Sequence, residues 1–156
     1  MRRFNLHSAQ LERDADDPPG YAETAYAKIG PAIGASMLAG RLYEMPPGQS
    51  VCPYHYEIGD EEWLIVLEGS ATVRHPEGEE TLEAGDVVCF PAGAEGAHKV
   101  TNRSDATVRV LMVSTRTMPA VAVYPDSDKI GVFTEDRRDN VMVRRESSVG
   151  YWEGEA

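Results

Sequence analysis

The stretch GQSVCPYHYEIGDEEWLIVLEG, residues 48–69, decides how this chain folds. Between His55 and Trp63 it gathers one imidazole and four carboxylates, and an apolar run follows at once. Residues two apart in a strand share a face, so His55 and Glu57 point one way while Tyr54 and Tyr56 point the other. The IGDE segment then serves as a turn, and Glu62, opening the strand EWLIVLEG, brings back a third ligand beside the first two. A fourth comes from His98, which begins the strand HKVTN after the loop PAGAEG. Two imidazoles with two carboxylates form a mixed nitrogen and oxygen site, suited to iron, manganese, nickel or zinc. Without a cation, Glu57 and Glu62 repel each other and raise each other's pKa, so a divalent metal gives the cluster a reason to exist.

The same texture extends outward. From Ser36 onward, short apolar runs (MLAGRLYEM, SATVRHP, VVCFPAG, TVRVLMVS) alternate with turn signals such as PEGEE, EAGD and NRSD. This is the pattern of an antiparallel sandwich or barrel, with turns too frequent for helices of ordinary length. Residues 1–34 show no clean period and read as an N-terminal extension packing on the barrel. The barrel is expected over 35–118. Residues 119–156 read as C-terminal strands and an arm, whose Val141, Val143, Tyr151 and Trp152 are more apolar than a free tail requires.

The spacing of these residues resembles the two cupin motifs. The first runs Gly48, His55-Tyr56-Glu57, Glu62, Gly69, and the second Gly85, Pro91-Ala92-Gly93, His98, Asn102. The first has six residues where the family has five before its histidine, and the second has four where the family has two. Fifteen residues, Ser70 to Ala84, join the motifs. The chain is similar to the small single-domain cupins of the cupin_2 kind over roughly Gly40 to Thr115. That resemblance implies an all-β fold, the double-stranded β-helix or cupin jelly-roll barrel, with a metal near its mouth. Leu64, Val66 and Val88 or Phe90 would point inward and line the pocket. It also implies the ligand set His55, Glu57, Glu62 and His98, in which Glu57 replaces the family's second histidine. Glu57 is read either as the fourth ligand or as a neighbouring general base. Asn102 is expected to bond backbone, and Gly48, Gly69, Gly85 and Gly93 to make turns.

Composition narrows the function. With 26 acidic against 15 basic residues the net charge is −11, which argues against nucleic-acid or anionic-membrane partners. No apolar run reaches membrane-span length and no secretory core opens the chain, so a cytoplasmic protein is expected. Cys52 and Cys89 read as buried apolar thiols in strands, Asp60 and Glu61 as a solvated turn, and His7 and His75 as surface residues. The open edges of a small barrel and its two extensions predict a homodimer. The leading function is a metal-dependent enzyme acting on a small molecule, of isomerase, epimerase or oxygenase type. The alternatives are a non-catalytic module that binds a metabolite or metal, and a barrel whose site has decayed.

Overall fold

In the computed structural model, which describes residues 1–155, the chain folds almost wholly into strands. In order these are β1 (Ala25–Lys28), β2 (Leu38–Met45), β3 (Tyr56–Glu57), β4 (Glu62–Glu68), β5 (Ser70–His75), β6 (Gly78–Glu83), β7 (Val87–Phe90), β8 (Lys99–Thr101), β9 (Val108–Thr115), β10 (Ala120–Tyr124), β11 (Lys129–Phe133) and β12 (Val141–Arg144). One five-residue helix, α1 (Ile29–Ile33), lies between β1 and β2, where the sequence pattern gave no helix. It has no side-chain N-cap and ends on Gly34 in the left-handed conformation. Its place is fixed by close approach to β2, where Gly30 lies 3.4 Å from the Leu38 carbonyl oxygen, measured from where a Cβ would be.

All strand pairings are antiparallel. A five-stranded sheet runs β1-β2-β9-β4-β7, a three-stranded sheet β6-β5-β8, and a four-stranded sheet β12-β11-β10-β3. This is the all-β barrel that the alternating runs predict. Turn chemistry closes it: Gly69 joins β4 to β5 at φ 77°, and a Cβ there would stand 3.0 Å from Val108 and 3.1 Å from the Thr107 carbonyl. A side chain would be strained and crowded at once.

The interior follows from the two-residue period of each strand. Tyr43, Met45, Leu64, Val66, Ala71, Val73, Leu82, Phe90, Val100, Val108, Val110 and Met112 form one buried cluster, against which the half-buried Val88 packs. Leu64 and Val66 are almost fully enclosed, and burial of each such side chain contributes roughly 1.5–3 kcal/mol. Val88 and Phe90 both belong to the inward row, paired in register with Leu64 and Glu62, but with Leu64 and Val66 they pack into the core and do not line the expected pocket at the histidines.

The flanking segments add strands. In residues 1–34, β1 pairs along β2 and an isolated bridge joins Glu12 to Tyr26. Beyond residue 118, β10 pairs with β3 and carries β11 and β12 outward. Tyr151 and Trp152 are 85% and 76% exposed, so within this chain they cover nothing. Both cysteines depart from the sequence reading. Cys89 is exposed on the outer face of β7, and Cys52 is half-buried in the bend before β3.

Candidate metal centre

The two histidines face each other across the barrel wall. His55 and His98 form an isolated antiparallel bridge, with the His55 N–H donating to the His98 carbonyl (3.1 Å) and the His98 N–H to the His55 carbonyl (2.8 Å). Residues paired in this way send their side chains to the same face of the sheet. Two rings brought together by backbone hydrogen bonds thus end with centroids 4.8 Å apart. Glu62, the first residue of β4, and Glu57, the last of β3, converge on the same place.

Ligand atoms of His55, Glu62 and His98 all lie within 4.8 Å of one another. Bonds of about 2.0–2.2 Å to a cation would put ligand atoms at most about 4.4 Å apart, so a small contraction of this cluster closes around one. His98 Nε2 is 3.3 Å from Glu62 Oε2. Glu57 stands alongside, with Oε1 3.8 Å from His55 Nε2.

The protonation of both rings is set from behind. His98 Nδ1 is 2.9 Å from the Gly96 carbonyl, and His55 Nδ1 is 3.0 Å from the Pro53 carbonyl. A carbonyl only accepts, so each Nδ1 carries a proton, and each Nε2 is the ring nitrogen turned toward the cluster as the possible ligand atom. Buried His98 Nε2 makes no hydrogen bond, and Glu57 Oε2 is likewise buried and unpartnered. Lone pairs aimed at carboxylate oxygens in a buried place repel unless a cation lies between them. The donor set and its orphaned atoms therefore fit a divalent cation.

Electrostatics agree with the geometry. Burial, and then the neighbouring His98, holds the His55 pKa below its usual value, which favours the neutral, ligating ring. Burial, reinforced by Glu62 and Asp60, pushes the Glu57 carboxyl up to about 7. Burial also raises the Cys52 thiol, whose Sγ lies 3.5 Å from His55 Nδ1, on the side of the ring away from the cluster. Aromatic rings hold the imidazole planes: Phe90 stacks on His98 at 3.7 Å and Tyr124 on His55 at 5.8 Å.

A cavity of about 380 Å³ opens onto His55, Glu57 and Glu62, and is lined further by Arg41, Met112, Ser114 and Tyr124. Asp60 also borders it and corrects the sequence reading of a solvated turn. It is 6% exposed, and its Oδ1 accepts from the Thr115 hydroxyl (2.9 Å) and the Thr117 N–H (2.8 Å). Glu61 does face solvent, and so does Trp63, 49% exposed, whose indole N–H donates to Glu61 at 3.0 Å. His7 is exposed, and His75 lies away from the cluster, with Nε2 3.9 Å from Glu80.

Several contributors escape a reading by motif. Gly96 is one: a Cβ there would fall 1.9 Å from the Pro91 carbonyl oxygen, so no side chain fits, and its own carbonyl orients His98. Its trace in the sequence is the lengthened gap between Gly93 and His98, which a 3₁₀ turn over Ala94–Gly96 takes up. Tyr124 and Asp60 owe their parts to tertiary packing and leave no local signal, and the stacking of Phe90 on His98 is likewise a product of packing.

Comparison with known proteins places this geometry. Residues 41–114 match the family model of the Cupin_2 cupin domain, and the chain carries a cupin barrel. No curated protein sequence matches it. Among solved structures it is similar to a sugar phosphate isomerase of the cupin superfamily from Silicibacter pomeroyi, with 26% identity, TM-score 0.81, and 97% of this chain and 98% of that one covered. A putative sugar phosphate isomerase from Acidithiobacillus ferrooxidans matches with 25% identity and TM-score 0.75, over 85% of this chain and 82% of the other. The polyketide cyclase RemF from Streptomyces resistomycificus matches with 27% identity and TM-score 0.62, over 77% and 83%.

Proposed function

We propose that this cupin is a metal-dependent isomerase of a small hydroxy-carbonyl compound, with His55, Glu62 and His98 holding a divalent cation and Glu57 carrying the proton. The observation behind this reading is the Glu57 carboxylate, half-buried beside the cluster with Oε1 3.8 Å from His55 Nε2, on a side chain that lines the cavity. Of its two readings from the sequence, fourth ligand or general base, we take the base, because the three atoms that close on one point belong to His55, Glu62 and His98. An acid–base group works best with a pKa close to the working pH, and burial holds Glu57 near 7.

When bound, the cation supplies Lewis-acid polarisation of a substrate carbonyl or hydroxyl. The Glu57 carboxylate takes the proton from the carbon next to the carbonyl and returns it to the former carbonyl carbon, while the hydroxyl proton passes between the two oxygens. Atoms balance with no external oxidant or reductant. Ser114 and Tyr124 line the path and give the substrate polar contacts. Two of the similar structures are named as sugar phosphate isomerases, which supports this reaction type over an oxygenase.

The test is proton exchange. Metal-loaded protein in D2O, given a panel of aldoses, ketoses and their phosphates, should label the carbon next to the carbonyl of at least one compound, as read by NMR. Glu57→Gln should abolish labelling while retaining the metal. No labelling by the wild-type protein across the panel would overturn the reading.

A further inference from the structure

The cavity wall contains two arginines that the metal centre does not use, Arg41 and Arg116, and only Arg116 is paired with a carboxylate. Along β2, Arg41, Tyr43 and Met45 share the inward face, and Tyr43 and Met45 are in the core. Arg41 is thus an inward-row residue, yet it remains exposed to solvent and lines the cavity. Its rung runs Arg41, Met112, Leu64 across β2, β9 and β4, and the next rung runs Ala39, Ser114, Glu62. Arg41 is therefore two strands and one rung from Glu62. With strands about 4.8 Å apart and rungs about 6.8 Å apart, their Cα atoms stand roughly 12 Å from each other. Both side chains border the same cavity, so a molecule of modest size touches both.

The guanidinium has no carboxylate partner. Arg74, Arg103, Arg109 and Arg116 each pair with an acidic side chain, and Arg116, which also lines the cavity, is held by Glu135 at 2.8 Å. Among the described residues Arg41 forms no salt bridge, and its side-chain bond is a single 3.3 Å contact from Nη1 to the Tyr43 hydroxyl. In a chain of net charge −11, a free arginine inside a cavity stands out. The cavity's own carboxylates, Glu57, Asp60 and Glu62, offset the charge of a divalent cation.

We infer that Arg41 is the anion-binding residue of this cavity, and that the small molecule taken there carries a carboxylate or phosphate group held by the guanidinium, with its other end toward His55, Glu62 and His98. Arginine's planar fork grips either oxyanion with two parallel hydrogen bonds, which a lone ammonium does not reproduce. The identity of the reacting end rests on the isomerase reading above; the anion contact does not.

The test is calorimetric titration with three probes, glycerol 3-phosphate, glycerate and neutral glycerol, into wild-type, Arg41→Met and Arg41→Lys proteins. Metal content and thermal midpoint are measured on the same samples. Wild-type protein is expected to bind at least one of the two anions and to ignore glycerol, and the preferred anion tells phosphate from carboxylate. Arg41→Met is expected to lose at least tenfold in affinity with metal content unchanged. If that variant does not fold, Arg41→Lys decides, with an expected loss of at least threefold. No anion binding by the wild type, or equal affinity in the folded variants, overturns the inference. Binding that depends on Arg41 in protein that takes up no metal leaves this inference standing and removes the cation reading. A full metal complement with anion binding indifferent to Arg41 does the reverse.

Discussion

Asn102 offers the sharpest test of how the second motif holds the site. It is fully buried and uses every hydrogen-bonding position of its side-chain amide. Nδ2 donates to the Met45 carbonyl at 2.8 Å and the Ala106 carbonyl at 2.7 Å, while Oδ1 accepts from the Ser104 N–H at 2.9 Å and the Ser104 hydroxyl at 2.7 Å. One amide thus ties the end of β2 to the turn between β8 and β9. Asn102→Ala strips these four contacts, and each buried group left unpaired costs about 1–3 kcal/mol. Ser104 still bonds Ala106 at 3.0 Å, so the loss falls mainly on Met45 and the Ser104 N–H. A total of roughly 2–6 kcal/mol follows, a drop in melting temperature on the order of 4–24 °C for a domain of this size. Asn102→Asp keeps the shape but aims an oxygen at two carbonyl oxygens, so its folded pKa is raised above the unfolded value. A group raised in this way contributes most below its unfolded pKa and loses that contribution as pH rises through the folded one. The aspartate variant should therefore fall further behind the wild type at pH 8 than at pH 5. Urea unfolding followed by circular dichroism at both pH values measures this. Asn102→Ala within about 0.5 kcal/mol of the wild type, or an aspartate deficit independent of pH, would refute the reasoning.

Three further outcomes follow. Gly96→Ala forces the turn off the Pro91 carbonyl and with it the carbonyl that orients His98; chelator competition should show metal affinity lowered by about 10- to 100-fold, and unchanged affinity would remove Gly96 from the site. In chelator-treated protein the Glu57 carboxyl, raised from 4.5 to about 7, gives stability that is complete below pH 4.5 and lost as pH rises through 7. The stability difference between Glu57→Gln and wild type should therefore shift in the variant's favour by at most about 3 kcal/mol between pH 4.5 and 8; a flat difference would mean that Glu57 titrates normally. The exposed β12 and the bare Tyr151 and Trp152 suit a homodimer, which sedimentation at micromolar concentration should show, and monomer alone would contradict.

How far the sequence carries the structure depends on which forces are local. Turn glycines announce themselves because their backbone must be left-handed, as at Gly48, Gly69, Gly85 and Gly93, all with φ between 77° and 101°. The inward rows of β4 and β7 are legible because alternation fixes the face once a core exists. His55, Glu62 and His98 are legible as a group through motif spacing, and Asn102 as a backbone tie. The reason the histidines meet is not legible, since the His55–His98 bridge joins residues 43 apart in sequence. Asp60 looks like a turn residue until Thr115, at the end of β9, and Thr117 just after it come to bury it. Cys89 looks apolar, and its exposure depends on which face of β7 is covered. Arg41 reads as one charge in an alternating strand; only the closed barrel turns it into a cavity wall.

The central claim is that His55, Glu62 and His98 form a cation site. Protein purified without chelators, then analysed for metal per chain by mass spectrometry, tests it most directly, with His98→Ala prepared in parallel. Close to one equivalent of iron, manganese, nickel or zinc in the wild type, lost in the variant, is the predicted result. No metal in the wild type even after each ion is added, or one equivalent retained by His98→Ala, would contradict it.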